Sequence, residues 1–401
     1  MASLNKSKPV ALHFLGAISF AASQWILLAI FTKYYSLIQA GEYVFYLAVF
    51  TPLSILFSFG LRNSMATDIK SEFSDWQYLK ARFFGLFLFL VFSVLLIFVF
   101  EKSKNIGFLV LTIKFIDLVS DIVYGAWLRE GLGEKYGVSQ ILRLLSFLFL
   151  LILLNISELG IDFFGVWLMP ISMLFVLIFY DLKKSTINVS EKISFQSTGL
   201  VKLSLPLAVG TFAVSLNSSM PRLVVENISG EEALAIYAVA IYFVSVAQIP
   251  VNSLMQISVP KLAKLKGREL VENRMVFFIL KIILAYGAVF VLALYFLGEM
   301  ITGFLYKNIY ILNEPLYLVV GVSGALVFFS TVFNGFLVSQ RKFKLLMGVS
   351  FYNAFNYGAI TFCFAFFYGP GGEYWAYMMA SLISVLVLFS FFIRVVRNEH
   401  S

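Results

Sequence analysis

The chain has 401 residues, 60% of them hydrophobic and only 13% charged, against about 25% charged in a water-soluble domain. A soluble fold of this size would lack the polar surface to cover itself, so the apolar excess must face lipid and the chain reads as an all-α integral membrane protein. The formal charge of +8 could suit nucleic acid, but it is concentrated in alternate loops, where anionic headgroups account for it without nucleic acid.

Apolar runs of spanning length fall at about 13–33, 41–61, 83–100, 106–127, 138–157 and 160–180 in the first half. In the second half they fall at 199–225, 233–258, 275–297, 315–338, 345–368 and 373–393. That predicts about twelve transmembrane helices. The first run follows Lys6 and Lys8 but is too long for a cleaved signal core, so it is read as a retained helix. Setting aside Lys114 and Lys281, only Lys33, Lys102, Lys104, Arg222 and Lys307 fall on one side, and all other lysines and arginines on the opposite side. The positive-inside rule therefore places both termini in the cytoplasm. In the basic 62–82 segment, Trp76 and Tyr78 fit either a helix in the headgroup plane or a solvated linker.

The halves look alike. Tyr43 corresponds to Tyr237, Gly125 to Gly335 and Trp167 to Trp375. The expected organisation is an N-terminal six-helix lobe over 1–182, a cytoplasmic linker over 183–198 and a C-terminal six-helix lobe over 199–401. An even number of helices per half relates the lobes by a pseudo-two-fold along the membrane normal.

Cys363 is the only cysteine, so no intramolecular disulfide forms. His13 and His400 are the only histidines and cannot supply a zinc cluster, so no metal is expected and both are read as bland. No Walker loop, nucleophile elbow or Gly-rich phosphate loop occurs, and no cofactor is implied.

Ionisable residues within spans mark pathways by default. Lys114, Asp117, Asp121 and Tyr124 share one helical face, which must look into protein. Arg62, Arg143, Arg222 and Lys281 add cations, and Glu226 an acid. These are candidate substrate-binding cations, with Asp117, Asp121 and Glu226 as ion-coupling or charge-balancing acids; internal ion pairing is the plainer alternative. If all face one cavity, the surplus of cations favours an anionic ligand. Pro206, Gly210 and Pro221 are expected to interrupt the seventh span, either to line a cavity or as packing kinks. Asn217, Ser218 and Ser219 would bind sugar hydroxyls or bond neighbouring helices.

These residues fall into familiar strings. Gly60-Leu61-Arg62-Asn63 with Thr67-Asp68 is one; Lys114 with Asp121, Tyr124-Gly125, Ser139 and Leu142-Arg143 is another. A third is Met220-Pro221-Arg222 with Gly230-Glu231-Glu232, Tyr237, Gln256 and Pro260-Lys261-Leu262-Ala263. Over most of its length the chain resembles the bacterial Wzx-type polysaccharide flippases of the multidrug/oligosaccharidyl-lipid/polysaccharide (MOP) exporter superfamily. Trp127-Leu128 departs from the glutamine–lysine pair expected there.

The resemblance implies two six-helix lobes around a central cavity, with Lys114, Arg143 and Arg222 among the cavity cations. It implies a transporter, not an enzyme. The substrate would be an oligosaccharide on polyprenyl diphosphate, moved across the bacterial plasma (inner) membrane for O-antigen or capsule synthesis. Membrane lipids, a polysaccharide polymerase and chain-length machinery are the partners this implies. The rivals are a cation-coupled drug antiporter, disfavoured by the lack of an acid between His13 and Phe31, and a glycan polymerase or ligase, disfavoured by short outer loops.

Overall fold

A computed structural model describes residues 4–68, 72–156, 163–188, 198–263, 265, 273–306, 310–340 and 342–398. They form α1 (Leu4–Tyr34), α2 (Leu37–Phe57), α3 (Leu61–Thr67), α4 (Asp75–Val99), α5 (Lys104–Arg129), α6 (Gly133–Ile156) and α7 (Phe163–Val176). A π-helical turn, Leu177–Leu182, closes α7. There follow α8 (Thr198–Leu262), α9 (Arg274–Leu305), α10 (Glu314–Ser339), α11 (Phe343–Tyr368) and α12 (Gly372–Asn398). The described residues are helical with no strand, and nine stretches are long and apolar enough to cross a membrane. This is a multi-pass membrane protein.

The helix starts follow local chemistry. Ser36 and Ser74 each accept a hydrogen bond from the backbone N–H of Gln39 and Gln77, whose side chains accept one back from the serine N–H. These reciprocal capping boxes use donors that a helix leaves unpaired. The second one fixes the start of α4 at Asp75, so Trp76 and Tyr78 sit in its first turn. Tyr78 is buried there and its hydroxyl donates to Asp68, 3.2 Å away. A separate headgroup-plane helix does not account for these two residues.

The seventh span also departs from expectation. α8 runs unbroken through Pro206, Gly210, Pro221 and Pro250, and its only non-helical residue is Gly230, with φ of 82°. A positive φ suits glycine, which has no Cβ to clash. The break thus falls between the expected spans 199–225 and 233–258.

The chain divides into two compact units, 1–215 and 216–401. The division lies inside α8, because its first turns pack with the N-terminal unit: Leu200 joins a core with Phe59, Leu61, Met65, Tyr78 and Trp127. Of the expected linker 183–198, residues 189–197 lie outside the described residues. In the N-terminal unit α1 and α6 meet backbone to backbone. A Cβ on Gly137 would collide with the Leu12 carbonyl, and one on Gly16 with the Gly137 Cα. Small residues permit this approach where lipid offers no hydrophobic drive.

The C-terminal unit centres on Phe328, Val332, Phe336, Leu337, Leu388 and Phe392. Its α11 and α12 are joined by side-chain bonds on their inner faces: Asn353 Nδ2 donates to Ser384 Oγ at 2.9 Å, and the Tyr357 and Ser381 hydroxyls lie 3.0 Å apart. In each unit a glycine of a late helix receives a methionine. Gly125 lies against Met65, and Gly335 against Met255.

Gly137→Leu forces α1 and α6 apart, at a cost of about 1–3 kcal/mol or more. A drop in the thermal unfolding temperature of the detergent-purified protein, well beyond that of Gly348→Leu in open space, is the expected result.

Candidate functional site

The N-terminal unit gathers charges from five elements. Arg62 comes from α3, Arg82 from α4, Lys114, Asp117 and Asp121 from α5, Arg143 from α6 and Asp181 from the π-helical turn. Arg143 lies 2.9 Å from Asp181 and 3.3 Å from Asp117, and also donates to the Ser120 hydroxyl. Arg82 lies 2.7 Å and Arg62 3.7 Å from Asp121. Lys114 lies within electrostatic reach of Asp117. Four cations face three acids, a surplus of one positive charge.

Tyr124 ties the cluster together. Its hydroxyl lies 2.9 Å from that of Ser139, accepts from Gln140 Nε2 at 3.2 Å and donates to Asp181 at 3.3 Å. The Arg62 guanidinium stands over the Tyr136 ring, 4.7 Å from its centroid, and His13 packs against that ring at 4.9 Å.

Burial grades the cluster. The side chains of Asp181, Arg82 and Arg143 are 0%, 3% and 3% exposed, while Asp117 and Asp121 are each 23% and Arg62 28%. Arg82 Nε and Nη1, Arg143 Nε and Asp181 Oδ1 are buried without a hydrogen-bond partner. In a low dielectric a charge must be paired, and unused guanidinium donors leave the cluster able to bond more acceptors. A cavity beside Arg143, lined also by Ser23, Gln140 and Ser172, holds about 10 Å³, the space of about one water molecule.

The structure therefore brings together five of the expected residues, Arg62, Lys114, Asp117, Asp121 and Arg143. It adds Arg82, Asp181, Tyr136, Ser139, Gln140 and His13. Arg82 and Asp181 fell just outside the apolar runs, where a charge reads as the end of a span. His13 carries no sequence signal, and its place beside Tyr136 comes from the glycine contact of α1 with α6.

In the C-terminal unit, Arg222 and Asn217 lie on α8 and each has a buried atom, Nε and Oδ1, without a hydrogen-bond partner. Arg222 is within electrostatic reach of Tyr237, Tyr242 and Tyr377. Glu226 is half-buried one turn further along α8. Lys281 stands apart. It is exposed on α9 with its Nζ 4.5 Å over the Phe277 ring. It sits two turns from the helix start, beside the exposed Phe277, Phe278 and Leu284. Among the described residues no group of histidine, cysteine and acidic side chains could hold a metal ion.

These helices adopt the fold of MOP-superfamily transporters. An inward-facing multidrug-resistance MATE transporter of that superfamily superposes with TM-score 0.73 at 12% identity, over 97% of this chain and 96% of its own. The Vibrio cholerae MATE transporter VcmN gives 0.70 at 14% identity, over 99% and 98%. A MOP-superfamily transporter from Pyrococcus furiosus, described by the reverse polarity of its binding pocket, gives 0.67 at 13%, over 98% and 96%. By sequence the chain is similar to the capsular polysaccharide biosynthesis protein CapF of Staphylococcus aureus, 23% identical over 354 residues that cover 84% of this chain and 86% of that protein. No family model matches.

Removing one partner of a buried ion pair costs about 3–5 kcal/mol, far more than at a partly exposed site. Asp181→Ala is therefore expected to lower the unfolding temperature of the purified protein clearly more than Asp117→Ala does, although both acids bind Arg143.

Proposed function

We propose that the protein is a flippase. It moves an oligosaccharide repeat unit on polyprenyl diphosphate from the cytoplasmic to the outer leaflet of a bacterial plasma membrane, for capsule or related polysaccharide synthesis. The observation that supports this most is the membrane-embedded cation cluster of the N-terminal unit, which keeps a positive surplus and unused guanidinium donors. The similarity to CapF points to the same pathway.

The task sets the chemistry. A hydroxyl taken into hydrocarbon without a partner costs about 4–8 kcal/mol, so a glycan does not cross unaided. Polar side chains replace its water while the prenyl tail stays in lipid. In the N-terminal unit Lys114 and Arg143 are the cations offered to the phosphates; in the C-terminal unit Arg222 is the cation offered to the anion and Asn217 meets sugar hydroxyls. Arg62 assists at the more exposed edge of the cluster. Asp117, Asp121 and Glu226 balance charge and are the carriers of any coupled ion. Lys281, out among phenylalanines, is left to the headgroup region. An anion leaving the cytoplasm gains about 2.3 kcal/mol per charge per 100 mV of inside-negative potential, so export is downhill electrically.

The same reading takes the chain as twelve spans in two six-helix lobes. Counting the two sides of the Gly230 break separately, and adding α5 and α11, brings the nine apolar stretches to twelve. The paired contacts Met65–Gly125 and Met255–Gly335 support a duplication.

The MATE neighbours carry a second reading, a cation-coupled drug antiporter. The two readings diverge in one strain. On the flippase reading, Lys114→Glu, Arg143→Glu and Arg222→Glu, each at normal protein level, stop surface glycan and leave lipid-linked glycan on the inner leaflet, while drug tolerance is unchanged. Intact glycan export in all three variants would overturn the site, and loss of drug tolerance with normal glycan would establish the antiporter.

A further inference from the structure

The C-terminal unit carries a groove between α11 and α12. It encloses about 530 Å³, within the range of small-ligand sites. Lys344, Gly348 and Tyr352 line it from α11, and Val387, Ser390 and Phe391 from α12. On α11 these residues are spaced by four, which makes them one face of the helix. Gly348 makes the depth: a Cβ there would meet nothing within 4 Å.

Charge is confined to one end. Lys344 opens α11, and Arg394 lies near the close of α12 with its guanidinium 5.9 Å from the centroid of Phe391. Both are exposed. The two helices run antiparallel, so these cations share a membrane face, the one the positive-inside rule assigns to the cytoplasm. Beyond them the wall is almost wholly apolar, down to Tyr352. From Lys344 to Tyr352 the helix rises about 12 Å, close to the roughly 15 Å hydrocarbon depth of one leaflet.

The geometry points to a binding site for one anionic phospholipid of the cytoplasmic leaflet. Its phosphate lies between Lys344 and Arg394, and one acyl chain runs along the groove past Gly348. A single leaflet-deep channel with two cations fits a two-chain phospholipid with one phosphate better than a prenyl tail that crosses the bilayer. Anionic lipids are also the headgroups that basic residues on this face attract. The site does not depend on the flippase reading, and the bound lipid would brace α11 against α12.

The test is native mass spectrometry of the full-length, delipidated protein, titrated with phosphatidylglycerol or phosphatidylcholine of the same chains. One phosphatidylglycerol is expected to bind ahead of phosphatidylcholine. Lys344→Ala with Arg394→Ala should weaken it about tenfold and leave phosphatidylcholine unchanged. Gly348→Trp should abolish it by filling the groove. The Lys344→Ala, Arg394→Ala pair alters only exposed side chains and carries the test even where the tryptophan variant unfolds. Equal binding of the two lipids, or no effect of the paired alanines, would overturn the site. Displacement of phosphatidylglycerol by an equal amount of polyprenyl phosphate would reassign the groove to the carrier lipid's tail.

Discussion

Arg143 anchors the N-terminal unit. A guanidinium 3% exposed inside a membrane protein persists only because Asp181 and Asp117 stand within ion-pair distance. Meeting that condition draws in the end of α7 and the middles of α5 and α6, with Tyr124 as the shared hydrogen-bond partner. Arg82 and Asp121 add α4 by the same logic. Lipid supplies no hydrophobic force between helices, so these pairs do part of the work that an apolar core does in water. The same pairs hold the guanidiniums in place and leave Arg82 Nε and Nη1 and Arg143 Nε without a hydrogen-bond partner.

The two units meet the cost of polarity differently. In the N-terminal unit, three acids are shared among four cations and leave a small surplus. In the C-terminal unit, Arg222 lies among the phenols of Tyr237, Tyr242 and Tyr377, and amide–hydroxyl bonds such as Asn353–Ser384 join its helices.

Much of this was legible in the sequence. Span positions follow from apolar run length, which the bilayer fixes, and the helices fall over the expected runs. The face carrying Lys114, Asp117, Asp121 and Tyr124 follows from a period that α5 obeys without a break. The rest was hidden by effects that act across the chain. The prolines of α8 suggested breaks, yet the helix passes through them and yields at Gly230, where a backbone without Cβ gives way most cheaply. Arg82 and Asp181 looked like span ends because composition alone cannot tell a charge facing water from one facing a partner on another helix. Lys281 was grouped with the cluster because hydropathy gives depth along a helix but not which way the side chain faces, and it stands exposed over Phe277.

Asp181 reaches Arg143 from a turn of another pitch. An α-helix advances every residue by the same angle, but the π-helical turn Leu177–Leu182 closes i to i+5 and takes in one residue more. The helical phase is therefore reset at that turn, and a wheel drawn from Phe163 onward at a constant step would aim Asp181 about 100° away from where it lies. The acid is delivered by residue count as much as by residue type. Were the same residues to close as an ordinary α-helical turn, the carboxylate would swing by about one residue's step away from Arg143 while every functional side chain stayed in the gene.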